Sequence, residues 1–342
     1  MKIKPAQLAA ILIIGLLVTS ILSILTGSVS LDLEVIIKVV KLRLSGLAIP
    51  KELIGTDKIL FALRIPRTLM MLMTGAALVC SGASYQGLFR NPLADPYLIG
   101  VSTGAGLGAV IALSIEWPYS TLGTLMTPIL AFLAAILTVG LVFKLGNLGG
   151  FKSTTGLILA GVAVNALASA LTSTWLLLGK RDIRNSLSWM LGGMVSSGWD
   201  PIKIALPLVA IGLTGQFLLS HQLNVLQFGD EQAANLGVQV RKVRLLIIFF
   251  STLTTATVIA FAGIIGFIGL VVPHIIRILV GGDHRQLLPL SMLGGAFFLL
   301  FADILARVVL APQELPVGII TAMTGAPFFL WLLNRTRKEK FS

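Results

Sequence analysis

Few residues in this chain are of types and spacings that could do chemistry, and each set points to a narrow repertoire. Gly146 to Ser153 reads GNLGGFKS, one position away from the phosphate-binding form GxxxxGKS. Phe151 stands where the second glycine lets backbone amides close on a phosphate, and no strand precedes the loop, so nucleotide binding by this chain is rejected. His221, His274 and His284 lack the spacing of metal ligands, and the single Cys80 excludes an internal disulfide; no metal site and no catalytic set are expected. Asp303 and Arg307 lie one helical turn apart, the spacing of an ion pair. Arg64 and Arg67, in RIPR, flank the start of an apolar run, where arginines commonly snorkel to headgroups. Asn165, Ser169, Thr172 and Ser173 dot one side of a helical run with neutral polar groups, which suits interhelical hydrogen bonding and a permeation path equally.

These residues are carried by elements of one kind. Of 342 residues 56% are apolar and 12% charged, with mean hydropathy +0.96; this excludes a water-soluble enzyme and a disordered regulator, whose chains carry about twice that charge or more. The net charge is +12, but the basic residues sit between apolar blocks and not on one charged face, which points to lipid headgroups and away from nucleic acid. Runs of about 20 apolar residues, the length that crosses a bilayer, occur at 8–26, 66–84, 97–115, 124–143, 155–178, 201–220, 245–264, 287–310 and 315–334. A tenth, shorter span is expected in GIIGFIGLVVPHIIRILVGG (263–282) after a reversal, because Gly263, Gly266, Gly269 and Pro273 argue against one continuous helix. In lipid every backbone group must be bonded internally, and the runs are apolar all round, so the expected fold is all-α: a polytopic bundle of about ten transmembrane helices forming one domain over 1–342. MKIK and the run after it read as an uncleaved first helix. An even number of spans with a basic tail (Arg335, Arg337, Lys338, Lys340) favours both termini in the cytoplasm.

The segments between spans differ in character. SLDLEVIIKVVKLRL, at the start of the basic stretch that runs through 38–58, has apolar and charged residues at helical spacing and predicts an amphipathic helix on the outer surface. Residues 180–200 form a second outer segment, with Trp189 and Trp199 as interfacial rings. On the inner side, 221–244 predicts a short helical peg: Asp230 as N-cap, Glu231 in the first turn, and Gly237 ending the helix in the left-handed conformation. Such a rigid element could transmit force from a soluble partner. Gly100, Gly104 and Gly108 recur every fourth residue and predict close packing of the third span.

RIPRTLMMLMTGAALVCSGASYQGLFRNPLADPYLIGVSTGAGLG (64–108) resembles the FecCD family of ABC-importer permeases, including the cobalamin importer permease, and the resemblance returns in LILAGVAVNAL (157–167), FGDEQAANLGV (228–238), FAGIIGFIGLVVPHIIR (261–277), GGDHRQLLPLSMLGGA (281–296) and ELPVGIITAMTGAPFFLWLL (314–333). It implies a ten-helix subunit acting as a homodimer, with two ABC ATPase subunits on the cytoplasmic face that bind the ATP and Mg, and an extracytoplasmic substrate-binding protein. Gly229, Asp230, Glu231, Ala233, Ala234, Leu236 and Gly237 match the ATPase-coupling element of the family. Asn91, Leu93, Ser153 and Thr154 match its cytoplasmic gates. Arg64, Arg67 and Arg307 match outer arginines that meet acidic residues of the binding protein. Asn165, Ser169 and Thr172 are the candidates for the translocation path.

The expectation is a non-enzymatic permease subunit of the bacterial or archaeal cytoplasmic membrane that imports a large metal chelate, a ferric siderophore first, with haem or cobalamin as alternatives. A secondary transporter is the reading from another class; it would require titratable groups in mid-membrane, and no Asp, Glu or His chain crosses the spans. The broken GNLGGFKS loop gives a direct test: the purified chain alone should hydrolyse no ATP, and sustained phosphate release without an ATPase subunit would refute the reading.

Overall fold

The computed structural model describes residues 3–27, 29, 31–118, 120–148, 154–178, 183–193 and 198–341, and every regular element among them is a helix. In chain order these are α1 (Pro5–Leu25), α2 (Leu33–Leu44), α3 (Ile54–Asp57), α4 (Ile65–Phe89), α5 (Val101–Leu113), α6 (Thr121–Leu148), α7 (Thr154–Leu178), α8 (Ile183–Met190), α9 (Asp200–Leu218), α10 (Ser220–Leu226), α11 (Asp230–Asn235), α12 (Val240–Ala262), α13 (Ile268–Val280), α14 (His284–Val308) and α15 (Val317–Phe341). Seven of the described helices are long and apolar enough to cross a membrane, and three shorter apolar ones, α5, α13 and the apolar part of α15, complete the ten expected. The reversal before the short span is present: Gly263 and Phe267 both take positive φ between α12 and α13.

The centre of the bundle is α4, nearly all of whose residues from Met70 onward are buried. Its neighbours approach backbone to backbone. A Cβ on Gly75 would lie 2.2 Å from the Gly295 carbonyl oxygen of α14, and one on Gly82 would lie 2.0 Å from that of Gly269 in α13. Without a hydrophobic force between helices in lipid, such small-residue contacts are what brings them together. The expected glycine packing of the third span is present at all three positions. Gly104 and Gly108 meet the Ala134 and Leu130 carbonyls of α6, and Gly100, which precedes the helix with φ 94°, would bring a Cβ to 2.7 Å from Thr138 of α6.

Helix α4 runs antiparallel to α14, so the bundle has two distinct ends. One carries α10 and α11 beside the last turn of α4; the other brings Arg67, at the start of α4, to Asp303 near the end of α14. The expected amphipathic helix is α2, at this second end. Its Ile36 and Val39 bury against Leu60 in a small satellite core with Leu25 and Phe61. The interfacial role expected of Trp189 is corrected, because its ring is fully buried in the core; Trp199 is partly exposed and donates its indole N–H to the Phe61 carbonyl at 2.7 Å.

Backbone contact at Gly75 leaves no room for a side chain. Gly75→Val should therefore lower the thermal unfolding temperature in detergent by an amount matching at least about 1–3 kcal/mol. Gly140→Ala, where a Cβ meets nothing within 4 Å, should leave it unchanged or raise it.

Candidate functional site

The peg forms as α11, but its start is not the one expected. Gly229, with φ 108°, is the N-cap; Asp230 is the first helical residue and caps nothing. Its carboxylate instead accepts from Arg244 in α12 at 2.9 Å and lies 3.6 Å from Arg90, which ends α4 in the left-handed conformation. The side chain thus points back toward the bundle and away from its own helix terminus. At the other end Gly237 takes φ 82°, and the N–H groups of Gly237 and Val238 bond the carbonyls of Ala234 and Ala233 at 2.9 and 3.0 Å, as a left-handed glycine cap requires. Glu231 lies in the first turn, Ala233 is the residue of the peg buried against the bundle, and Leu236 is 67% exposed, a large apolar side chain left on the surface of the peg.

Helix α10, absent from the sequence reading, fastens the peg to two spans. Gln227 donates to the Gly87 carbonyl of α4 at 2.7 Å. Asn224 donates to Asp283 at 2.6 Å and accepts from the His284 backbone N–H at 2.8 Å. Asp283, the N-cap of α14, is held down to about 2 by hydrogen bonds from Arg285 and then Asn224, so it is a carboxylate throughout the neutral range. The signal was legible only in part: Asp283 directly before an apolar run is a capping residue, but nothing in the sequence pairs it with Asn224.

The gate candidates lie on a loop that continues from α4. Asn91 accepts the Leu93 N–H on its side-chain oxygen at 2.9 Å, a local turn that holds Leu93 half exposed. Further along, the turn at Pro96–Ile99 sits on α7. A Cβ on Gly161 would be 2.2 Å from the Leu98 carbonyl, and Asn165 donates to the Tyr97 and Leu98 carbonyls at 3.3 Å while accepting from Thr103 at 2.6 Å. The Pro96–Ile99 turn is therefore fastened to α7. Thr154 opens α7 with its side chain outside the described residues; Ser153 and the Gly149–Ser153 part of GNLGGFKS also lie outside them.

The path candidates divide. Asn165 is occupied by the loop bonds just described, so at this position the interhelical reading holds. Thr172 is buried and bonds the Ala168 carbonyl of its own helix at 2.8 Å. Ser169 and Ser173 stay on the exposed side of α7 together with Val162.

At the far end the three arginines come together, but not as a charged surface. Arg64 is 6% exposed and donates to the carbonyls of Ile24, Leu25 and Val29. Arg307 is 2% exposed and donates to the carbonyls of Ser23 and Thr26 and to the Ser23 hydroxyl. Together they take carbonyls that α1 leaves unbonded at its C-terminus. This corrects the expectation that they are outer charges offered to a binding protein or to headgroups: their donors are committed to backbone. The expected Asp303–Arg307 pair is present at 2.9 Å and is shared with Arg67, whose guanidinium meets fully buried Asp303 at 2.9 Å and Glu314 at 2.6 Å. Only Arg67 of the three keeps part of its surface, and its charge is already met by two carboxylates.

A second polar knot, missed by the sequence reading, lies inside the bundle. Gln216 of α9 is fully buried, accepts from Ser84 at 2.9 Å and Ser251 at 3.2 Å, and donates to Thr254 at 3.1 Å. A glutamine in the 201–220 run was the available signal. Among the described residues no three His, Cys, Asp or Glu side chains gather as a metal would require.

Comparison with known proteins places this geometry in a family. A profile of the FecCD transport family matches residues 15–335. The uncharacterized ABC transporter permease protein YvrB of Bacillus subtilis is 38% identical over 94% of this chain and 92% of its own length. The hemin transport system permease HmuU of Yersinia pestis is 41% identical over 81% of this chain and 84% of its own, and the Fe(3+) dicitrate permease FecD of Escherichia coli is 41% identical over 82% and 86%. A solved structure described as an inward-facing conformation of a metal-chelate type ABC transporter superposes with a TM-score of 0.81 at 30% identity, covering 97% of this chain and 99% of that one. The chain belongs to the FecCD transport family and is a multi-pass membrane protein.

Because Asp303 is the buried partner of Arg307, removing it leaves that cation without a paired carboxylate while Arg67 keeps Glu314, a loss of roughly 3–5 kcal/mol. Asp303→Ala should therefore lower the melting temperature in detergent far more than Glu314→Ala, whose carboxylate is one-third exposed. Equal effects would show that the shared carboxylate does not hold this end together.

Proposed function

We propose that this chain is the permease subunit of an ATP-driven importer of a metal chelate, with a ferric siderophore as the substrate. Two copies work with two ATPase subunits, which bind ATP and Mg, on the face that carries α11, and with a substrate-binding protein on the opposite face. In this reading the termini lie on the ATPase side. The exposed side of α7, with Ser169 and Ser173 on it, then faces the seam between copies, where a ligand larger than one bundle can hold has room to pass. Support for the substrate class comes from relatives named for hemin and Fe(3+) dicitrate and from the metal-chelate transporter of the same fold. A cobalamin import permease of Halobacterium salinarum, 42% identical over 80% of this chain, keeps cobalamin as the alternative beside haem.

The observation that carries the reading is the junction at Asp230. One carboxylate joins the peg to Arg90 and to Arg244. Arg90 is the residue before Asn91, so a displacement of the peg acts directly on the base of the loop that holds Leu93. Through Arg244 it acts on α12, and through Gln227 on the last turn of α4. A push on the exposed Leu236 side of α11 would therefore tilt two central helices and move the loop with them, without any chemistry in this chain. Arg67 is the one arginine of the expected docking set with surface left to offer the binding protein.

Reconstituted with its ATPase and binding protein, the chain should accumulate ferric siderophore in vesicles in an ATP-dependent way. Accumulation of haem or cobalamin instead would reassign the substrate, and no ATP-dependent uptake of any of the three by an assembled, ATP-hydrolysing complex would overturn the importer reading. Within that system Asp230→Ala should cut substrate transported per ATP by about tenfold, the scale on which sites are commonly coupled, while ATP hydrolysis persists. Gly237→Val, which forces a β-branched residue into positive φ, should in addition release the ATPase on co-purification.

A further inference from the structure

Helix α2 has a second face that the satellite core does not use. Ile36 and Val39 point into that core. At 100° per residue Leu33, Ile37 and Leu44 fall on one narrow strip at the edge of that face, and they are 57%, 46% and 85% exposed. Lys41, the exposed Glu34 and Lys38 follow the strip on the side away from the core, and neither lysine forms an ion pair with a carboxylate among the described residues. The remaining cation of the helix, Arg43, is drawn to the other side, where it bonds Asp57 at 2.5 Å and lies 4.2 Å from the centre of the Phe61 ring. What is left facing outward is an apolar strip with two lysines and one carboxylate, Glu34, along one margin, a net positive edge.

We infer that this strip lies in the headgroup layer of the bilayer, with Leu33, Ile37 and Leu44 dipping toward the acyl chains and Lys38 and Lys41 meeting phospholipid phosphates. Depth supports it. Helix α1 has 21 residues, about 31 Å at 1.5 Å per residue, which matches a hydrocarbon core of about 30 Å. Its last residues, Ile24 and Leu25, pack under α2, so α2 sits where hydrocarbon gives way to headgroups. Continuity supports it as well. The exposed apolar side of α1, which includes Ile14, Leu17 and Ile21, is a lipid-facing surface, and Val29, 53% exposed, continues it toward Leu33. A strip reserved for a soluble partner would stand in water whenever that partner was absent, and soluble surfaces avoid such patches. Lysines bordering an apolar strip are the pattern of an interfacial helix, their stems covering apolar surface while the ammonium reaches phosphate.

The inference is independent of what is transported. It is tested on the full chain in a Cys80→Ala background, with Ile37→Cys or the exposed Glu52→Cys carrying an environment-sensitive fluorophore, in vesicles of phosphatidylcholine with and without phosphatidylglycerol. Lipids brominated near the headgroup should quench the label at 37 at least about twofold more than the label at 52, and aqueous iodide should show the reverse order, as interfacial burial requires. Lys38→Glu with Lys41→Glu should shrink that difference most in the anionic vesicles. Equal quenching at both positions by lipid and by iodide would overturn the inference. So would shielding of position 37 that arises only when the soluble binding protein is added, which would make the strip a protein contact.

Discussion

At the edge of a bilayer the last carbonyls of a spanning helix have neither a next turn nor freely available water, and the end of α1 is built around that need. Arg64 and Arg307 donate to five backbone carbonyls between Ser23 and Val29. Two guanidinium groups so close together would repel in a medium of low dielectric. The buried carboxylate of Asp303 offsets this by pairing with Arg307 and with Arg67. The result ties α1, α4 and α14 at one end through charge-assisted bonds, which are about twice as strong as neutral ones. The first helix also packs along α14, where Gly15 lies against Phe297, but it buries few of its own residues, and this knot fixes its far end.

From that anchored end the bundle is stiff along α4. Glycine contacts with α13 and α14 leave no side-chain layer to yield, and the Gln216 knot adds hydrogen bonds from α4 and α12 to α9. At the opposite end Leu223, Leu226 and Ala233 bury α10 and α11 against the core, and Gln227, Asp230 and Asn224 add polar contacts to the spans. The peg is thus coupled to the spans by apolar burial as well as by polar contacts. This is the arrangement that a force applied to α11 would need.

Helix existence was legible because lipid permits few alternatives: a run of about 20 apolar residues must satisfy its own backbone, and hydropathy records it. The break after Ala262 was legible for the same reason in reverse, since Gly263, Gly266 and Pro273 cannot all sit in one straight span. Gly237 announced the end of the peg because positive φ selects glycine. Asp230 misled because its residue type fits an N-cap and the competing partners, Arg90 and Arg244, are 140 and 14 positions away. Trp189 misled because an aromatic ring suits an interface and a core alike, and only packing separates the two.

The sequence by itself determined the class of solvent, the spans, the small-residue contacts on α5 and the family. Each of these follows from local composition or from motifs read in order. Which charge meets which was decided by tertiary structure alone. Arg64, Arg67 and Arg307 have identical chemistry, and no local pattern tells a guanidinium that caps a helix from one that faces water. Antiparallel α4 and α14 bring residues 67 and 303 together, and the return of the chain through residues 26–63 sets the end of α1 against Arg64. The energy of an ion is governed by its partners and its depth in the bilayer, and both exist only once the helices have packed.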